Sequence, residues 1–364
     1  MRQTLKKVLP KSVINSIKST KEKIEFNSIK VASSNKFLSD AYYFFKSDFS
    51  EEQLSVLKGR RAYYESLHDI GESCALLRRN THRIEKGLIM KPRRDIFAEG
   101  FIVETVKCYE RAIESSILAN TEKKWATDVL DEYFKVVGST QIIDSAKKIY
   151  ISARKEVSSL EPIIPVFPSD TSSFTPYPFK NLPSSKIEFE ELKGLFISRR
   201  SVRWYQDKHV PIELIQKAVN IASFAPSACN RQPYRFLFCN DKQKTFAIAD
   251  CAMGTTGFAE NLPAIIAVIG DLSAYPAERD RHVIYIDGSL AAMQLMLALE
   301  TLGLSTCSIN WPDIEDREKR IRKIIELKDY ERIVMLMAVG YADPTGGIPY
   351  SQKKENNLIL KDIS

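Results

Sequence analysis

Two segments of the sequence, ISRRSVRWYQDKHVP (197–211) and APSACNRQPYRF (225–236), decide how this chain folds and what it folds around. The first places three arginines and a serine hydroxyl directly ahead of a helical segment. Planar guanidinium groups pair phosphate oxygens bidentately, and the charge roughly doubles the strength of each hydrogen bond. The segment therefore predicts a phosphate site. Its four candidate ligands are Arg199, Arg200, Ser201 and Arg203.

The second segment packs polar side chains into a turn that Pro233 closes. Asn230 and Gln232 carry amide groups, which both donate and accept hydrogen bonds, and Ser227 adds a hydroxyl. The alternating nitrogen and oxygen edge of an isoalloxazine ring requires this mixture of donors and acceptors. Together, the two segments predict a flavin site.

Composition sets the limits for the rest of the chain. At 364 residues the chain exceeds what one hydrophobic core usually fills, so we expect two domains. Of the net charge of +7, six units lie in residues 1–50, which argues against a nucleic-acid-binding body. The six cysteines and four histidines show no metal-ligand spacing. We therefore expect no metal site, and free thiols in a reducing cytoplasm.

Residues 1–48 form a basic amphipathic arm in which Val13, Ile14, Ile17 and Ile24 recur at near-helical spacing among lysines. One interpretation is peripheral contact with an anionic membrane through residues 1–30. The other is a solvated helix, since the apolar face is short and lacks tryptophan. Neither a signal peptide nor a run of about 18 apolar residues is visible.

Residues 49–160 are predicted to form a helical domain, because apolar residues recur every three or four positions with little glycine or proline. Within it, Arg79, His82, Arg83 and Lys86 share one helical face. Such a face could dock a phosphate, a nucleotide sugar or an acidic glycan. The alternative is a charged stripe facing solvent.

Residues 161–186 are rich in proline and serine and predict an extended linker whose aromatic residues lie along a surface. Residues 187–364 alternate helices with short apolar strands, which indicates a layered domain of the α+β class with a mixed sheet flanked by helices. We predict helices at 188–198, 211–223, from 242, at 285–302 and at 316–325, and strands at 234–239, 264–270 and 332–341.

Residues 187 to about 356 resemble the nitroreductase family, flavin enzymes that bind FMN and usually form homodimers. The resemblance rests on four blocks in family order. SRRSVRWYQD looks like the phosphate-binding start, which assigns Arg199, Arg200, Ser201 and Arg203 to the FMN phosphate. APSACNRQPYRF looks like the ring-binding turn, which the neighbouring subunit contributes in such dimers. That block implies ring contacts from Ser227, Asn230 and Gln232.

The third block, IDGSLAAMQLMLALETLGLSTCSIN, resembles the long central helix and the strand that ends over the flavin, which implies that the backbone of Ile309 and Asn310 lies beside flavin N5. The fourth block, VGYADPTGGIPYSQKKE, resembles the closing strand and basic tail, although the commoner pattern has arginine where this chain has Lys353 and Lys354. The small residues of the helix are expected to let it approach a symmetry mate. They are Gly288, Ser289, Ala291 and Ala292.

The resemblance implies an FMN-dependent oxidoreductase that transfers hydride by a ping-pong cycle between NAD(P)H and an electron-poor small molecule. NADH or NADPH is then the transient electron donor. No side chain is then an obligatory acid or base. Long relatives with such helical extensions suggest a link to surface-polysaccharide metabolism. The alternative is a non-catalytic flavin-binding or dimeric interaction protein whose helical half binds an anionic partner.

Overall fold

The computed structural model describes residues 10–155 and 173–363, which divide into two compact units, Met1–Leu54 and Ser55–Ser364. In the first unit, helix α1 spans Lys11–Ala32 and α2 spans Lys36–Lys46. The helix predicted in the basic arm is therefore present. Its apolar side chains Ile17 and Ile24 are exposed, and α2 buries none of its residues.

The helical region that precedes the linker is confirmed. Of its five helices, α3 to α7, the last four pack around a core of buried aliphatic and aromatic side chains that includes Leu77, Ile84, Tyr109 and Tyr133, whereas the first packs Val56 in a cluster with Leu272 and Ile284. The five helices span Ser50–Ser66, Ala75–Leu88, Glu99–Glu114, Asn120–Val136 and Gln141–Arg154.

The predicted linker is described from residue 173 onwards, and its residues 161–172 lie outside the described part of the chain. Phe174 lies against α6: its backbone N–H donates to Asp128 at 2.7 Å, and the ammonium of Lys124 sits 5.0 Å from the centre of its ring. This aromatic residue follows a surface of the helical region, as the sequence predicted.

The C-terminal part is an α+β domain, as predicted, built on a four-stranded sheet in the order β1-β2-β4-β3. All three strand pairs are antiparallel, and the one parallel bridge among the described residues joins Ser201 to Thr306. The strands are β1 Tyr234–Cys239, β2 Ala264–Asp271, β3 Ser305–Asn310 and β4 Glu331–Gly340. The helices are α8 Phe189–Ser198, α9 Ile212–Ala222, α10 Lys242–Cys251, α11 Val283–Thr301, α12 Glu315–Ile321 and α13 Asn356–Ile359.

Strand β2 organises the core, because successive side chains of a strand point to opposite faces of the sheet. Ile265 and Ala267 pack in the layer that contains α10, while Ile266 and Val268 pack in the layer that contains α11. Burial on both faces explains why β2 is apolar almost throughout instead of alternating.

Helix α11 is the one described helix long and apolar enough to cross a membrane by length and composition, although 44% of that window is buried inside the fold. Three of its four predicted small residues do not line its outer face, contrary to expectation, and the fourth, Ser289, is half-buried. Gly288, Ala291 and Ala292 are buried in this chain, and a Cβ on Gly288 would lie 3.2 Å from Val334 of β4. The exposed face is formed instead by Ile286, Leu290 and Met293.

Candidate functional site

The SRRS segment is attached to the outer edge of the sheet. Helix α8 ends at Ser198, and the chain then becomes extended, so that Ser201 bridges Thr306 of β3 and the N–H of Val202 donates to the Thr306 carbonyl at 3.1 Å. Because β3 is an edge strand, this contact fixes the predicted phosphate ligands beside it.

Two buried polar atoms in this segment have no hydrogen-bond partner among the described residues: Nε of Arg199 and Oγ1 of Thr306. Buried polar groups are normally satisfied, so an orphaned guanidinium donor indicates a missing acceptor. A nearby carboxyl is protonated more readily than usual, because burial raises the pKa of Glu300 against the opposing effects of Ser198 and Arg199. The segment therefore fits an anionic group such as phosphate.

Arg200 brings the C-terminal segment to the same place. Its Nη2 donates to the carbonyl of Pro349 at 3.2 Å and to that of Tyr350 at 2.7 Å. Lys353 and Lys354 follow within a few residues and are exposed. Arg203 Nη1 donates weakly to the Ser201 carbonyl at 3.4 Å. The side chain of Arg200 thus joins the segment that carries the predicted phosphate ligands to the residues just before the basic tail.

Ile309 and Asn310 end strand β3, opposite Leu336 and Met335 of β4. The carbonyl of Thr306 faces the outer edge, where it binds Val202. Backbone groups alternate along a strand, so the N–H of Asn310 also faces outward while that of Ile309 faces β4. Of the two predicted backbone contacts, Asn310 is the one with its N–H toward the open edge.

The ring-binding turn is strained. Cys229, Asn230 and Gln232 all have positive φ angles of 53°, 51° and 50°, a region that non-glycine residues rarely adopt. Within the turn, the N–H of Gln232 donates to Ser227 Oγ at 3.1 Å, and its side-chain Nε2 donates to the Ser223 carbonyl at 2.9 Å. Such strain persists only where surrounding contacts over-determine the conformation.

A residue of the helical region supplies the strongest of these contacts. Arg78 of α4 donates from Nε to the Asn230 carbonyl at 2.8 Å and from Nη2 to Gln232 Oε1 at 3.0 Å. Its third nitrogen, Nη1, binds Glu122 of α6 at 3.0 Å, and the side chain of Glu122 is only 3% exposed. Glu122 also accepts hydrogen bonds from Ser73 and the N–H of Cys74. The turn is thus clamped through a buried ion pair.

Asp287 of α11 holds the other side of the turn. Its Oδ2 accepts from the N–H of Ala228 at 2.9 Å and from the Tyr275 hydroxyl at 3.4 Å. Burial raises the pKa of Asp287, although these two hydrogen bonds and Arg231 oppose the effect.

The two predicted halves of the site lie at opposite ends of α11. The turn contacts Asp287 near the start of the helix, whereas Arg199 lies near Glu300 at its end. At 1.5 Å per residue these positions are about 20 Å apart. The structure therefore brings the phosphate ligands to β3 and the C-terminal segment but does not bring them to the turn of the same chain.

Sequence reasoning missed Arg78, Glu122 and Asp287. The only feature of the local sequence that pointed to Arg78 was the arginine pair in LLRR. The predicted charged face included Arg79 of this pair but not Arg78. That face is not a solvated stripe, because among its four residues only Lys86 is exposed. His82 contacts Glu85 at 3.3 Å, and Glu85 also accepts from the indole of Trp125 at 2.9 Å.

The sequence model of a protein family described as "Nitroreductase family" matches residues 197–256 and 243–341 of the chain. A protein of Archaeoglobus fulgidus named "Putative NADH dehydrogenase/NAD(P)H nitroreductase" is 29% identical over 154 residues, which cover 42% of this chain and 86% of that protein. The iodotyrosine deiodinase of Thermotoga neapolitana is 28% identical over 194 residues, covering 47% of this chain and 96% of its own length. An FMN-dependent nitroreductase structure from Clostridium difficile R20291 is 27% identical with a TM-score of 0.37, covering 46% and 94% of the two chains.

Proposed function

We propose that residues 197–341 form a nitroreductase-family domain, and that the chain is an FMN-dependent oxidoreductase that transfers hydride between NAD(P)H and an electron-poor small molecule. The observation that carries the proposal is the orphaned Nε of Arg199, buried in a segment of three arginines at the edge of β3. A phosphate there would satisfy a donor that the described residues leave without a partner.

FMN, when bound, would supply the hydride chemistry, and the chain's residues bind and orient it. Arg199, Arg200, Ser201 and Arg203 would hold the phosphate, with Lys353 and Lys354 adding positive charge. The outward N–H of Asn310 would donate a hydrogen bond to the ring. Ser227, Asn230 and Gln232 would contact the ring from a neighbouring subunit.

We propose a homodimer with one site at each end of the interface. The separation of about 20 Å between the turn and the phosphate segment supports this arrangement, since a second copy could supply the turn that the first lacks. The exposed apolar face of α11, formed by Ile286, Leu290 and Met293, is a suitable surface for the contact.

The cofactor and the direction of transfer can be tested on the purified chain. We expect it to release FMN on denaturation and to be bleached anaerobically by NADH or NADPH. Reoxidation with quinones, nitroaromatics and sugar derivatives then tests the ping-pong cycle and the proposed link to surface polysaccharide. A colourless chain that takes up no added FMN would refute the proposal. A yellow chain that no nicotinamide bleaches would favour the non-catalytic alternative, in which the helical half binds an anionic partner.

The two-subunit site has a sharper test. Co-expressed chains with different tags, one carrying Arg199→Ala and Arg200→Ala and the other Asn230→Ala and Gln232→Ala, would form a heterodimer with one intact site and one doubly defective site. We expect this heterodimer to bind about half the FMN of the wild type, and each variant homodimer to bind little. A heterodimer as empty as both homodimers would mean that one chain forms the whole site.

We further propose a cytoplasmic protein, because the six cysteines show neither CxxC pairing nor the regular spacing of a disulfide framework. Peripheral membrane contact through residues 1–30 stays a separate proposal, supported by the exposed Ile17 and Ile24 of α1. Co-sedimentation with anionic vesicles, with and without residues 1–46, tests it.

A further inference from the structure

A second group of arginines lies beside the turn, on the face of α4 next to Arg78. Arg79 and Arg83 are one helical turn apart and only partly exposed, and Arg231 of the turn lies near them. Aromatic rings hold two of the three: the guanidinium of Arg83 is 3.7 Å from the centre of the Phe101 ring, and that of Arg231 is 4.7 Å from Tyr275. We call Arg79, Arg83 and Arg231 the arginine cluster.

The cluster has little negative charge to balance it. Arg79 forms no hydrogen bond or ion pair with any residue that the structure describes, and Nε of Arg231 is buried without a hydrogen-bond partner among them. Arg83 makes one long hydrogen bond, to Asn80 at 3.4 Å. Two carboxyl groups lie near the cluster. Glu104, near Arg83, is exposed and accepts from Asn80 Nδ2 at 3.1 Å, and Asp287, near Arg231, is already bound to the turn. Three guanidinium groups therefore face two carboxyl groups.

The electrostatics agree with this geometry. Burial lowers the pKa of Arg83. The positive charges of Arg79 and Arg231 lower this pKa further, whereas Cys229 and Glu104 raise it. Arg79 and Arg231 also act on the hydroxyl of Tyr63, whose pKa is raised by burial. Like charges held close together in a partly buried place cost free energy unless an anion joins them.

Arg78 shows what a purely structural arginine looks like in the same helix. All three of its side-chain nitrogens donate to protein oxygens, and its charge is paired with Glu122. Arg79, the next residue along, has none of these contacts. The guanidinium of Arg79 therefore keeps its donors available to a ligand.

We propose that the arginine cluster, which lies beside the turn, binds an anionic group, a carboxylate or a phosphate, of the electron acceptor. The inference rests on the proposed function and adds the charge class of its substrate. The helical region then contributes to the reaction twice, through the clamp on the turn and through recognition of the acceptor. Arginine suits this role because its planar fork matches carboxylate and phosphate geometry.

Direct binding tests the cluster without any turnover. We would titrate the full-length wild type with 4-nitrobenzoate, and with the uncharged 4-nitrobenzamide, by calorimetry in the absence of nicotinamide. The variants are Arg79→Gln, Arg79→Lys, and Arg79→Gln with Arg83→Gln. Lys148→Gln on α7 is the matched control, because it removes one exposed charge outside the cluster.

We expect the wild type to prefer the anion, the double variant to bind it at least tenfold more weakly, and Arg79→Lys to keep most of the affinity. Binding of the amide should be the same in all variants. Absence of binding to the wild type, or equal losses for anion and amide, overturns the proposal. Arg79 has no partner to lose, so the single variant decides the question if the double variant folds poorly.

Turnover separates this inference from the proposed function. With FMN and NADH present, the ratio of kcat/KM for 4-nitrobenzoate to that for 4-nitrobenzamide should fall about tenfold in Arg79→Gln. Normal flavin content with an unchanged ratio refutes the cluster and leaves the proposed function intact. A raised KM for NADH or NADPH instead would assign the cluster to the donor and overturn the acceptor proposal. Absence of flavin refutes the proposed function, while the calorimetry still decides whether the cluster binds anions.

Discussion

The two halves of the candidate flavin site are built in different ways. The phosphate segment is held by elements of its own domain: the bridge from Ser201 to Thr306, and the contacts of Arg200 with the C-terminal segment. The ring-binding turn depends on the helical region, through Arg78 and its buried partner Glu122. The comparison indicates that the helical region supports the candidate site, because the conformation of the turn depends on a residue of that region.

The largest effect is expected in the phosphate half. Arg199→Ala with Arg200→Ala should weaken FMN binding about a hundredfold or more, since each lost charged hydrogen bond costs about 1.5–3 kcal/mol. Flavin released from the purified protein measures it. Arg93→Ala with Arg94→Ala removes two exposed arginines elsewhere and is the control. Equal flavin content in both double variants would mean that the phosphate is held by other residues.

Arg78→Ala should lower the stability of the fold that supports the predicted ring-binding turn. The change leaves the carboxylate of Glu122 buried without its cation, and we expect a loss of about 2–3 kcal/mol in the free energy of unfolding. Urea denaturation measures this loss. Combining Arg78→Ala with Glu122→Ala should cost less than the sum of the two single changes. Strict additivity would show that the pair does not couple the helical region to the turn.

A third prediction concerns the packing of the helical region on the sheet domain. A Cβ on Gly59 of α3 would lie 2.6 Å from the Cβ of Leu272 and 2.9 Å from its backbone. Gly59→Ala should therefore destabilise the protein by about 1–3 kcal/mol, as overpacking does. Gly100→Ala on α5 is the matched control, since nothing lies within 4 Å of its added methyl. A melting temperature that is equally unaffected by both changes would contradict this packing.

The smallest effect is expected from pH. Burial raises the pKa of Asp287, so the native chain keeps this proton to higher pH than the unfolded chain, and its contribution to stability falls as pH rises above the ordinary carboxyl range. Asp287→Asn removes this dependence. Relative to the wild type, the variant should gain stability between pH 4 and pH 7 in urea denaturation. An unchanged difference at the two pH values would contradict the argument.

Local pattern predicted much of the C-terminal domain. The strand predicted at 234–239 coincides with β1, and the helix predicted at 285–302 lies within a few residues of Val283–Thr301. Both predictions succeed because the spacing of apolar residues, which reports which side chains are buried, is a local property of the sequence. The contact of Arg78 with Asn230 spans 152 positions, and no local pattern carries it. The same limit explains Gly288, whose small size indicated close packing but not against which partner.

The central claim, that the helical region organises the ring-binding turn, is tested most directly by the affinity of Arg78→Lys for FMN. Lysine keeps the positive charge beside Glu122, but it lacks the planar fork of donors that binds the Asn230 carbonyl and Gln232 at the same time. Flavin fluorescence quenching on the apoprotein should give a Kd about tenfold higher than that of the wild type, while Arg154→Lys, an arginine paired with Asp131 on the helical region, should leave it unchanged. A Kd for Arg78→Lys equal to that of the wild type would contradict the claim.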